Sequence, residues 1–157
     1  MSALPNTSSR VQEIADRLDV VDVVVAYATA LDTKDWALLG SLFTDAAIFE
    51  FAGRFERQEG PAAIVALISA VLGPLDATQH INTNHVVTVH GDEAEHTCYF
   101  QAQHVRRGLP GGEQFIVAGA YVDRLRRTPG GWRFAHRSVR KTWMRGNSEI
   151  TGHVSVT

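Results

Sequence analysis

The chain has 157 residues, 45% of them hydrophobic and 20% charged, with a formal net charge of −2. Those are the proportions of one ordinary globular domain, long enough to bury about two-thirds of the surface its unfolded chain exposes. The charge offers no handle for nucleic acid or an anionic membrane. The longest apolar run, Pro61 to Leu72, is far short of a span of ~20 residues, and the one cysteine, Cys98, excludes an intrachain disulfide.

Residues 1–9 are small and polar and read as a flexible N-terminus. They lack a basic stretch followed by an apolar core, so they are not a secretory signal, and a cytoplasmic location is expected. From Val11 the apolar residues Val11, Ile14, Ala15, Leu18, Val21, Val25 and Ala28 recur at helical spacing, which predicts an amphipathic helix to about Leu31. Asp32 and Thr33 offer cap chemistry for a short second helix carrying Trp36, Leu39 and Leu42. Ala46 to Phe51 reads as a short strand and Gly53 as a turn. Gly60-Pro61 opens a third helix that Gly73-Pro74 ends.

Beyond Pro74 the texture changes. Four segments, Thr78–His90, Glu93–Arg107, Gln114–Arg127 and Trp132–Arg145, are separated by turn signals at Gly91-Asp92, Gly108 to Gly112 and Pro129-Gly-Gly131. They predict long strands in antiparallel hairpins. Helices first and a strand meander second argue for an α+β fold with the helices on one face of the sheet. The domain is predicted to span residues 10–145, with residues 146–157 as a polar tail.

Seven histidines invite a test for metal binding. No compact ligand signature such as His-Glu-x-x-His or paired Cys-x-x-Cys is present, and no metal is predicted. Strand parity sorts the histidines further. Ala94, His96, Cys98, Phe100, Ala102 and His104 share one face of the second long strand, apolar apart from its histidines, so His104 points inward. On the preceding strand His80, Asn82, Asn84 and Val86 share a face, which fits either a polar pocket or exposure to solvent. Tyr27 and Asp32 lie about 140° apart on an ideal helix and converge only if the chain bends near Leu31–Thr33. Asp32 also fits a plain helix N-cap.

Several runs together resemble the SnoaL-like branch of the NTF2-like superfamily. They are Tyr27 to Asp32 with Asp35-Trp36, Leu42 to Ala46, Thr78-Gln79-His80, Asn84-His85, and Gly130 to Arg133 with Arg137. The resemblance covers about Val11 to Arg145. It implies a cone in which three N-terminal helices pack on a strongly curved, mainly antiparallel sheet. It further implies an Asp32–His80 dyad with Tyr27 in a pocket, like that of scytalone dehydratase, bile-acid 7α-dehydratase and hexachlorocyclohexane dehydrochlorinase. His104 and Arg137 then bind substrate or supply positive character, and Asn84, Phe49, Phe100 and Tyr121 complete the binding surface.

The implied activity is a cofactor-independent lyase or isomerase acting on a hydrophobic, oxygenated ring such as a polyketide or steroid. A neutral imidazole, oriented by a carboxylate, suits removal of a proton from carbon at neutral pH. The alternatives within the same fold are a non-catalytic small-molecule binding protein, a polyketide cyclase, and an accessory subunit resembling the β subunit of ring-hydroxylating dioxygenases. A homodimer or trimer is expected, with the outer face of the sheet as the dimer interface.

Overall fold

A computed structural model describes residues 7–152; the first six positions of the expected flexible N-terminus and the last five of the expected tail lie outside the described residues. Helix α1 (Thr7–Thr33) is followed by the short α2 (Trp36–Ser41), strand β1 (Phe43–Phe51), the two-residue β2 (Gln58–Glu59) and α3 (Pro61–Leu72). Four long strands complete the domain: β3 (Ala77–His90), β4 (Glu93–Val105), β5 (Gln114–Thr128) and β6 (Gly131–Gly146). No helix among the described residues is long and apolar enough to cross a membrane.

The strands form one six-stranded sheet in the order β2-β1-β6-β5-β4-β3. The four long strands pair antiparallel with their sequence neighbours, as the turn signals predict. Only β1 runs parallel to its long neighbour β6, so the sheet is mixed. Register shifts interrupt β1–β6, β3–β4 and β5–β6. Such bulges bend strands and raise their twist, which here curves the sheet around the helices without closing it into a barrel. The inner face of β4 is the predicted one: Ala94, His96, Cys98, Phe100, Ala102 and His104 are buried while their alternates through Gln101 are exposed.

Helix α1 departs from expectation. Its core face is Val20, Val23, Val24, Tyr27 and Leu31, whereas Val11, Ile14, Leu18 and Val25 of the predicted stripe are at least half exposed. The helix carries two apolar stripes, and the one aligned with the large residues Tyr27 and Leu31 wins the core. Lys34, at φ 56°, ends the helix, and its Nζ donates to the carbonyls of Gly73 and Leu75 beyond α3. The cap of α2 is Asp35, which accepts from the Leu38 N–H at 2.9 Å. Asp32 is therefore free for another role. The segment read as a tail folds back: Ser148–Thr151 forms a 3-10 turn in which Ile150 and Thr151 are buried.

Candidate active site

Asp32 sits in the last turn of α1, beside the start of β3. Its Oδ1 accepts from His80 Nδ1 at 2.7 Å and from Thr78 Oγ1 at 2.6 Å, and its Oδ2 accepts from the His80 backbone N–H at 2.9 Å. Burial by itself would raise the carboxyl pKa. The hydrogen bonds from His80 and Thr78 outweigh it and hold Asp32 below the usual carboxylate value, so the group is ionised at neutral pH. An ionised carboxylate only accepts, hence His80 Nδ1 carries a proton, and in the neutral imidazole the lone pair is on Nε2. No protein group among the described residues bonds Nε2.

The His80 side chain is buried and lines a cavity of about 90 Å³. Most of the lining is apolar, contributed by α1, β1, α3 and the inner faces of β4 and β5. Tyr27, Phe49, Phe100, Tyr121 and His104 all belong to it. Asp32 does not line it. The carboxylate reaches His80 from behind, so Tyr27 and Asp32 need not share a helix face and no bend before Thr33 is required.

Two expected members lie elsewhere. Asn84 has φ 57° and is exposed, because a bulge between Thr83 and Val86 interrupts the alternation of β3. Thr78, His80 and Asn82 face inward before the bulge; His85 and Val87 face inward after it, and Asn84 and Val86 turn outward. Arg137 is fully buried but is not part of the cavity wall. Its Nε and one terminal nitrogen donate to the two oxygens of Asp123, each at 2.8 Å, and its guanidinium lies about 4.1 Å from the ring centres of Tyr27 and Phe134 and 4.2 Å from that of Tyr121. Burial would be costly for a lone charge; paired to Asp123 and set over three aromatic faces, the arginine braces Tyr27 from behind.

His104 is also different in charge from the expectation. Burial, with the neighbouring His80 adding to it, pushes its imidazole down to about 4, so it is neutral at physiological pH and supplies no positive character. Its Nδ1 is 3.3 Å from the Phe115 carbonyl, which assigns the proton to Nδ1. His80 and His104 meet edge to face with ring centres 5.9 Å apart. Tyr27 stays protonated, because burial raises its pKa more than the Arg137 charge lowers it. The cavity therefore offers one oriented base, one neutral imidazole and a phenol donor.

Three groups escaped the sequence reading. Thr78 lies two residues before His80 and so on the same strand face, a spacing that parity could have exposed. Arg54 and Thr151 line the cavity mouth from segments read as a turn and a tail. Further along β3–β6, His85, His96, Asp123 and Arg137 form a continuous chain: His96 Nδ1 donates to Asp123 Oδ2 at 2.8 Å and His85 Nδ1 is 3.0 Å from His96 Nε2. Donor atoms of His85, His96 and Cys98 lie within 4.8 Å of one another and form the group best placed to hold a metal ion. Burial pushes the Cys98 thiol up to about 12, and the Arg137 charge stands nearby, so this donor set suits a cation poorly.

The profile of the SnoaL-like domain family matches residues 12–138. A solved Novosphingobium aromaticivorans protein, provisionally named an aromatic ring hydroxylase, is 30% identical with a TM-score of 0.79, covering 88% of this chain and 97% of its own. Another from that organism, provisionally named a scytalone dehydratase, is 22% identical with a TM-score of 0.78, over 90% and 92% of the two chains. A type 2 hexachlorocyclohexane dehydrochlorinase is 19% identical with a TM-score of 0.78, over 94% of this chain and 99% of its own. For the last two, the likeness is one of fold.

Proposed function

The chain belongs to the SnoaL-like domain family, and on that premise we propose that it is a cofactor-independent lyase or isomerase that abstracts a proton from a hydrophobic, oxygenated ring. The observation that carries this reading is the Asp32–His80 pair set in the wall of an apolar cavity. His80 Nε2 removes a proton from carbon, the C–H electron pair becomes the new double bond, and the leaving group departs with its own pair. Asp32 stabilises the imidazolium as it forms, and Tyr27 donates to the carbonyl oxygen or the leaving group. The names of the two fold neighbours, a dehydratase and a dehydrochlorinase, both describe eliminations and are consistent with this chemistry. The apolar lining supports a hydrophobic ring, such as a polyketide or steroid, as the substrate.

The test is solvent exchange. The protein in D₂O should accelerate deuterium uptake at the α-carbon of a cyclic ketone probe such as 2-tetralone, followed by NMR. His80→Ala should abolish the enzyme-dependent rate and Asp32→Asn should lower it by about 10²-fold, both with the fold intact by circular dichroism. A probe that binds in the cavity yet exchanges no faster than in buffer would reject proton abstraction in favour of a binding role. An assembly role beside an aromatic-ring oxygenase rests on the name of the 30% identical relative, and it predicts no dependence on His80.

A further inference from the structure

The cavity wall holds a cation, Arg54, that no carboxylate among the described residues pairs with. Residues 51–55 run Phe-Ala-Gly-Arg-Phe, and a tight turn, in which the Arg54 and Phe55 amides both return to the Phe51 carbonyl, presents Arg54 between two rings. Gly53 takes the φ of 73° that this turn needs. The Arg54 guanidinium is 4.9 Å from the Phe55 ring centre and 5.9 Å from that of Phe51, and its terminal nitrogen donates to Thr151 Oγ1 at 2.6 Å. That hydroxyl is its only side-chain acceptor among the described residues, and no carboxylate pairs with it there. The nearby acid Glu59 is already taken by Arg57 at 2.9 Å. Burial pulls the guanidinium below its usual pKa with nothing opposing it, and its charge is felt at His104 across the cavity.

A half-buried guanidinium with one donor engaged among the described residues, stacked on aromatic faces and lining an apolar cavity, is poised for a planar oxyanion. We infer that Arg54, steadied by Thr151, is an anion-recognition subsite, and that the natural ligand is a flat ring acid whose carboxylate docks on Arg54 while its ring lies toward His80. The inference rests on the proposed reading in one respect: the same cavity holds the ligand in both.

The experiment uses the His80→Ala chain, so that turnover cannot interfere, with 2-naphthoate and 2-naphthamide as matched probes in calorimetric titrations. Naphthoate should bind at least about tenfold tighter than the neutral amide, and added salt should reduce the difference. Arg54→Gln should equalise the two, while Arg54→Lys, which keeps the charge but not the fork, should retain part of the preference. Thr151→Val, which leaves the charge in place, should keep most of it and guards against a folding artefact. Equal affinities in the parent chain, or a preference that survives Arg54→Gln, would overturn the anion subsite and leave proton abstraction untouched. Binding of neither probe would overturn the subsite together with the ring-binding role of the cavity. Normal anion preference here, with no ketone exchange by the unsubstituted protein, would support the subsite and reject the lyase.

Discussion

His104 shows how a single residue's surroundings can set the pH range of the whole site. Its imidazole is buried against Phe115 and His80 and falls to about 4 from a reference of 6.5. The unfolded chain therefore takes up this proton first as the pH drops. The stability tied to the neutral imidazole is fully present above about pH 6.5 and is lost as the pH falls through about 4, on the order of 3 kcal/mol. Denaturant melts between pH 7 and 4 should show this loss, and His104→Gln, which preserves an amide donor to Phe115, should flatten it. A slope unchanged by His104→Gln would assign the acid sensitivity to the carboxylates instead. The same neutrality bears on chemistry: a neutral His104 places no second cation beside the proposed base His80.

At the level of elements, the long strands were legible because their turns carry Gly and Pro at fixed places and β4 alternates without interruption; its observed start, Glu93, is the predicted one. The Asp32–His80 pair was legible only through the family resemblance, since local sequence offered a helix cap equally well. Asn84 shows where legibility stops. A bulge inverts the parity of β3 midway, and nothing in the alternation of Asn82, Asn84 and Val86 announces it. Arg137 entered through the resemblance alone, and its partner Asp123, opposite it on β5, holds it outside the cavity wall. The bulge itself is testable. Asn tolerates the left-handed conformation that Asn84 adopts, and a β-branched side chain does not. Asn84→Val should cost about 1–2 kcal/mol in denaturant unfolding, and Asn84→Gly should be close to neutral. If the costs were reversed, the bulge would not be held by backbone conformation.

For the molecule as a whole, the outer face of the sheet is mixed, with an apolar patch among polar side chains. Ile81, Tyr99 and Trp143 stand there about half exposed or more, on strands whose inner faces are covered by the core. A patch of this kind on the uncovered side of a sheet fits self-association, and a homodimer through this face is the expected state. Light scattering at high micromolar concentration should return twice the monomer mass, and Tyr99→Asp should shift it to the monomer without altering circular dichroism; a monomeric parent chain would refute the interface. The strand order has a consequence of another kind, for how the domain comes into being. β1 and β2 are joined to the other four strands only through β6, which is parallel to β1 and follows every other strand in the chain. During synthesis β1 emerges early and waits, its edge unpaired, while β3, β4 and β5 can already zip into hairpins. The cavity wall draws on both sides of that junction, so it is complete only once β6 and the turn beyond it have been made, although the α1 and β3 partners Asp32 and His80 emerge earlier.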